Sequence, residues 1–322
     1  MIRRFLLALL AMFAAAPAAA GDPMGPVHVS AGTIVDLGIL NSKYADPRRV
    51  VVWLPPGYRA HGPKYAVLYM HDGQNLFDKA TAGYGMEWEI DEHLSRLIAE
   101  KKVRPTIVVG IWNTPKRLQE YVPSKAINGL PPEYRKKVRA LYGGDPLSDE
   151  YLKFIVRELR PMIDRRFNVK ADRANTAIMG SSVGALISLY AIDEYPQIFG
   201  RAGMMSTHWP LFMTPDGKSV GDAEYEVVSS AFERYLAPAL PDPRTHRLYF
   251  DHGSETLDAI YKRYQDRVDA VVARRGYRQG PNIRGNTNWL TKSFPGQKHN
   301  EISWASRVDV PLQFLLPASG VR

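Results

Sequence analysis

The chain has 322 residues, 45% of them hydrophobic, a formal net charge of +9 and no cysteine. That content buries a sizeable core, and the missing thiols exclude disulfides, cysteine nucleophiles and thiolate metal sites. Setting Arg3 and Arg4 aside with a leader leaves 9 − 2 = +7, spread among acids without a nucleic-acid motif. Nucleic acid is therefore not an expected partner, while the field suits an anionic substrate.

At the start, Arg3 and Arg4 precede an apolar run over residues 5–13 and the small residues Ala18, Ala19 and Ala20. This pattern predicts a secretory signal peptide over 1–20, a mature chain beginning near Gly21, and export to the periplasm or beyond. The apolar run is too short to span a bilayer, so no membrane span is expected after its removal. Strand and helix patterns then alternate from Arg49 to Leu316 with no linker-like stretch or internal repeat, which predicts one catalytic domain over 21–322.

Residues 27–40 and 49–54 read as an opening antiparallel pair, ended by Pro55-Pro56-Gly57. Residues 65–70 form a buried strand that runs straight into His71-Asp72-Gly73-Gln74. Glu87 to Glu92 reads as the acidic first turn of a helix reaching Ala99, with Leu94 and Ile98 inward. After a strand over 106–111 comes a long connection, 113–148, in which Arg117 and Glu120 are spaced to pair on one helical turn. Leu152, Ile155, Val156, Leu159 and Ile163 then make the apolar stripe of a helix over 151–166. Further strands are expected at 177–179, 201–205, 247–250 and 288–294. A second long connection covers 207–246, and a last helix over 306–316 contains Pro311. The two connections shape a pocket above the strand ends. Trp112, Asn113, His208 and Trp209 stand at its edge as substrate-binding candidates, with ordinary packing the alternative for both tryptophans.

The chemistry is concentrated in Gly180-Ser181-Ser182-Val183-Gly184, which follows a strand-like run and opens a helix with Val183, Leu186, Ile187 and Tyr190 at helical spacing. A sharp strand-to-helix turn lifts the central serine hydroxyl above the sheet edge, so Ser182 is the expected nucleophile. Downstream, carboxylates at Asp251, Glu255 and Asp258 follow the apolar Leu248-Tyr249-Phe250, and His299 lies in Gln297-Lys298-His299-Asn300. Serine, acid, histidine is a hydrolase order, and each type has a task. The histidine accepts the serine proton, and the acid fixes its tautomer and stabilises the imidazolium. The backbone N–H groups of Val183 and Gln74 are the expected oxyanion donors, with Gly73 permitting a sharp turn before the second. His71 and His252 have no metal spacing around them, and no metal or other cofactor is expected.

At this point the chain resembles the putative esterase family of α/β-hydrolases, which includes esterase D, feruloyl esterases and enterochelin esterases. The resemblance rests on residues 51–58, 71–77, 180–184, 251–258 and 299–304. It implies an α/β-hydrolase fold, a mostly parallel central sheet flanked by helices, and cofactor-free ester chemistry. Several members carry the acid three residues after the glycine of the acid loop, where this chain has Thr256. Glu255 is the preferred acid, its longer side chain spanning a loop shift. Asp258 is the alternative, placed where Leu257, Ile260, Tyr261 and Tyr264 suggest that a helix has begun, and Asp251 reads as a strand-end brace. The expected partner is a small-molecule, glycan or siderophore ester. Acyl transfer to a sugar or lipid hydroxyl, and a non-catalytic binding role, remain as alternatives.

Overall fold

The computed structural model describes residues 25–212, 221–280 and 287–318. The expected signal peptide lies outside these residues, as does the 213–220 stretch of the second connection.

Eight strands form one sheet: β1 (Thr33–Leu40), β2 (Arg48–Leu54), β3 (Ala66–His71), β4 (Thr106–Ile111), β5 (Thr176–Ser181), β6 (Arg201–Met205), β7 (Arg247–His252) and β8 (Trp289–Ser293). Their order is β1-β2-β4-β3-β5-β6-β7-β8. The first two pairings, β1 with β2 and β2 with β4, are antiparallel, and every other pairing is parallel. The chain steps from β3 outward to β4 and then returns past β3 to β5. The order reverses there, and such reversals open a crevice at the carboxyl ends of the strands. Registers Ser181 to Met205 and Met205 to Asp251 bring the ends of β5, β6 and β7 level.

Alternation along the strands divides the core between two faces. Val50 and Val52 face one side with Tyr69, Ile107 and Ile178, while Val51 and Trp53 face the other with Leu68, Met70 and Val108. Helix α1 (Ile90–Ala99) covers the second side. Helices α2 (Arg117–Tyr121), α3 (Ser124–Asn128) and α4 (Pro132–Tyr142) make up most of the first long connection. The segments Ser148–Lys153, Phe154–Leu159 and Arg160–Arg166 run on as one helix, α5, whose apolar stripe faces the core. Helix α6 (Val183–Glu194) is buried from Val183 through Asp193, because it lies between the sheet and α7 (Asp222–Ala239). Helix α8 (Tyr261–Arg274) packs on α7, and α9 (Glu301–Ala305) and α10 (Asp309–Leu315) end the fold.

Three boundaries differ from the sequence reading. Strand β1 starts at Thr33, because the backbone N–H groups of Ser30 and Ala31 are held by the Asp91 carboxylate at 2.8 and 3.2 Å. Helix α1 begins only at Ile90, since Glu89 before it takes φ 53°. The last expected helix is split in two, with Asn300 capping α9 through a 2.9 Å bond from Ser303 N–H. Pro311 falls in the first turn of α10, where its missing N–H costs nothing.

Candidate active site

Ser182 sits between β5 and α6 at φ 58° and ψ −126°, a backbone conformation costing about 1–3 kcal/mol for a non-glycine residue. The turn is held by Ser182 N–H to Met205 O at 3.0 Å and His208 N–H to Ser182 O at 3.2 Å. Gly180 is required by close approach: a Cβ there would meet the Gly184 carbonyl carbon and oxygen at 2.8 Å. Gly184 is less constrained, its nearest neighbour being Asp72 Oδ2 at 3.4 Å. Ser182 Oγ is buried and has no hydrogen-bond partner among the described residues. Val183 opens α6, in whose first turn the Ala185 N–H bonds the Ser182 carbonyl at 3.1 Å, while the Val183 N–H has no acceptor four residues back within the helix.

The loop after β3 faces this turn as a short 3₁₀ helix, Gly73–Asn75, which carries the Gln74 N–H. Its sharp bend lies at Asp72, φ 55°, and not at the glycine as expected. Gly73 is needed for proximity instead, since a Cβ would meet Gly110 C at 2.6 Å and Ile111 N at 2.8 Å. Asp72 is anchored by Arg117, whose Nε and Nη2 donate at 2.7 Å each, and by Asn113 Nδ2 at 2.6 Å. Burial pushes the Asp72 carboxyl upward, but the Arg117 charge and these bonds outweigh it and hold it below the usual range. Arg117 therefore does not pair with Glu120. Glu120 instead meets Arg48, with Arg48 Nη1 donating at 2.9 Å, and both side chains are buried. Beneath the loop, His71 Nδ1 lies 2.8 Å from Tyr151 Oη, and burial lowers this histidine to about 3.

His299 Nδ1 is 2.6 Å from Oδ1 of Asp258, and the Asp258 side chain is fully buried. Glu255, the preferred acid in the sequence, is exposed and makes no hydrogen bond with His299. The reason is local: Thr256 takes φ 55°, turning Glu255 outward and carrying Asp258, on the following 3₁₀ turn Thr256–Ile260, inward. Thr256 Oγ1 also accepts His299 N–H at 2.8 Å. Glycine is again fixed by contact, because a Cβ on Gly253 would meet Gln297 O at 2.2 Å. The second oxygen of Asp258 accepts from Gly253 N–H and Ser206 Oγ, both at 2.6 Å. Burial favours the neutral acid, yet the His299 charge and these bonds hold Asp258 below the usual carboxylate range. The His299 ring is set edge-on between Tyr261 at 5.7 Å and Trp304 at 5.1 Å.

The four pocket candidates have distinct surroundings. His208 is buried against Tyr261, Nδ1 to Oη 2.7 Å, and burial followed by the charges of His299 and Arg117 lowers it to about 3. Trp209 is a core residue: it is 1% exposed, donates to Gln265 Oε1 at 3.0 Å and packs edge-on against Phe232. Asn113 faces the Gly73–Asn75 loop, and its N–H reaches Gln74 Oε1 at 3.4 Å. Trp112 backs the same loop under the Arg49 guanidinium, 4.7 Å from the ring, and borders a hollow with Arg48 and Thr114. His252 bonds locally, its Nδ1 2.7 Å from Gly253 O. Ser206, Arg307, Tyr261 and Asp72 join the site without a functional signal of their own in the sequence, apart from the place of Asp72 in the expected oxyanion loop.

The family model described as Putative esterase matches residues 42–306. Among curated proteins, "Uncharacterized protein YbbA" of Bacillus subtilis is 28% identical over 173 residues, covering 53% of this chain and 62% of that one. An "Endo-1,4-beta-xylanase/feruloyl esterase" of Xylanibacter ruminicola is 27% identical over 161 residues, 48% of this chain and 19% of that one. The chain thus spans less than two thirds of the length of these relatives. Among solved structures, a ferulic acid esterase superposes with TM-score 0.58 at 19% identity, covering 88% of this chain and 98% of that one. The enterobactin esterase FES from Shigella flexneri gives TM-score 0.60 at 15% identity over 90% and 60%. At these identities the structural likeness establishes the fold, an α/β-hydrolase. No helix among the described residues is long and apolar enough to cross a membrane.

Proposed function

Because the chain belongs to the putative esterase family, we propose that it is an exported serine hydrolase of carboxylic esters, one catalytic domain over 21–322 behind a signal peptide at 1–20. The observation that carries this reading is the 2.6 Å contact between His299 Nδ1 and buried Asp258, at the strand edge that holds the strained Ser182 turn.

In the reaction, Ser182 Oγ attacks the ester carbonyl while His299 Nε2 takes its proton. Asp258 holds the imidazole with Nδ1–H toward it and stabilises the imidazolium that forms. The tetrahedral oxyanion lies against the N–H groups of Val183 and Gln74, which are placed before the charge develops. His299 then protonates the departing alkoxide, and water, deprotonated by the same nitrogen, releases the acid from the acyl-enzyme. The names of the ferulic acid and enterobactin esterases support a bulky ester of a hydroxylated aromatic acid, of glycan or siderophore type, as the substrate class.

Hydrolysis of p-nitrophenyl acetate through decanoate by the purified mature chain tests the reading. Turnover that vanishes in Ser182→Ala is expected. A folded protein inert toward this series and toward a feruloyl ester, or a Ser182→Ala variant of full activity, would overturn it. Ester product formed with an added alcohol acceptor would assign acyl transfer instead.

A further inference from the structure

The proposed triad ends at Asp258, but the hydrogen bonds do not. Ser206 follows β6 at φ 44°, fully buried, with its N–H bonded to the Asp251 backbone oxygen at 2.9 Å. Its hydroxyl oxygen accepts Trp304 Nε1–H at 2.9 Å and Arg307 Nη2–H at 2.7 Å. Two donors occupy the oxygen's two lone pairs, so its single proton has one direction left, Asp258 Oδ2 at 2.6 Å.

Arg307 is 3% exposed, and Asp251 matches its charge: Nη2 to Oδ1 is 3.1 Å and Nε to Oδ2 is 3.3 Å. Tyr249 Oη–H at 2.8 Å and Ser206 N–H at 3.2 Å complete the donors to Asp251. The guanidinium lies 3.8 Å from Asp258 Oδ2, outside hydrogen-bond range. Asp251 is therefore the hydrogen-bonded counter-ion of the buried cation, while Asp258 meets it only as a looser ion pair and gives its short contact to His299. Arg307 Nη1 also reaches Gln297 Oε1 at 3.0 Å, and the Gln297 carbonyl holds the N–H groups of Ser254 and Glu255 at 3.1 and 3.0 Å. One side chain thus braces the acid residue, the acid loop and the histidine loop.

We propose that Ser206 and Arg307 are positioning residues: together they fix which oxygen of Asp258 faces His299 and hold the buried carboxylate in that orientation. This rests on the triad reading above. Other groups facing His299 are the Tyr261 and Trp304 rings, with Glu301 and His208 coupled to it through space and Arg117 acting in turn on those two. Without the Ser206 donor, Asp258 gathers more charge toward His299 and holds the imidazolium more tightly.

The test compares Ser206→Ala, Ser206→Gly and Arg307→Lys with the wild type in kcat, KM and the pH profile of kcat/KM. The expected result for Ser206→Ala is a fall in kcat of about tenfold to a hundredfold, KM within about twofold, and the acid limb of the profile displaced to higher pH. Ser206→Gly, which relieves the positive φ, should behave the same if the hydroxyl is what matters. Arg307→Lys keeps the charge but loses the planar fork that reaches Ser206, both Asp251 oxygens and Gln297, and should show a smaller fall in kcat; it carries the test if the Ser206 variants do not fold. Wild-type kcat in the Ser206 variants, or a fall in kcat with an unmoved acid limb and a lowered Tm, overturns the proposal. Fluorophosphonate labelling of Ser182 in each variant separates this failure from that of the triad: labelling persists if only the positioning role is wrong.

Discussion

Replacing Asp258 by asparagine exchanges one carboxylate oxygen for an NH₂ group, and the neighbouring donors decide where that group can sit. Gly253 N–H and Ser206 Oγ–H approach the second oxygen at 2.6 Å each. An amide NH₂ cannot sit against two donors, so the amide oxygen must take that place and the NH₂ must face His299 Nδ1. A donor there makes Nδ1 an acceptor and moves the ring proton to Nε2, the nitrogen that accepts the Ser182 proton in the proposed mechanism. The base is lost while the fold keeps its shape, and a tautomer error of this kind lowers kcat by roughly 10⁴-fold. Glu255→Gln, altering an exposed side chain without a His299 contact, should leave kcat within about threefold. Both variants would be assayed with p-nitrophenyl butyrate, with near-ultraviolet circular dichroism confirming the fold. Equal loss in the two variants, or more than about a tenth of wild-type kcat in Asp258→Asn, would refute the reasoning.

Arg117→Met leaves the buried Asp72 carboxylate without its bidentate partner; we expect a loss of about 1–3 kcal/mol in stability and, as the Gln74 loop loosens, at least a roughly tenfold fall in kcat, measured by urea unfolding and steady-state kinetics. Gly180→Ala should cost about 1–3 kcal/mol, because its Cβ meets backbone at 2.8 Å, whereas Gly184→Ala, with its nearest neighbour at 3.4 Å, should cost under about 1 kcal/mol; equal Tm shifts would contradict this. His208 is held neutral at about 3 against an ordinary 6.5. Between these values the unfolded chain binds the extra proton, so this group's contribution to stability is full above 6.5 and is lost as pH falls, at about 1.4 kcal/mol per pH unit. Unfolding free energies of His208→Gln and wild type across roughly pH 4.5–7 should therefore differ in slope by about that amount.

The sheet was legible because buried parallel strands are short apolar runs, and each of 65–70, 106–111, 201–205 and 247–250 lies within two residues of its strand. The turn at Ser182 was legible for a different reason: strand, glycine-framed serine and helix follow one another without interruption. Which carboxylate faces His299 was not, because it is set by a positive φ at Thr256, and a β-branched residue gives no warning of that conformation. Arg117 and Glu120 had the spacing of a local pair, but both were taken by partners 45 and 72 residues away, Asp72 and Arg48. A tryptophan just past a strand end can face a pocket or the core, and the core position of Trp209 depends on Gln265 and Phe232, far along the chain. Ser206 and Arg307 carry no motif, since their roles arise only when β6, β7 and the C-terminal helices meet.

The proposed function rests on Ser182 being an activated nucleophile. It is tested most directly by treating the purified mature chain with a fluorophosphonate and reading intact mass and the modified peptide. One adduct per chain, on Ser182, is expected, with ester turnover lost in proportion, and none in Ser182→Ala or after prior unfolding. A native, folded chain that takes up no adduct, or takes it up equally in Ser182→Ala, would contradict it.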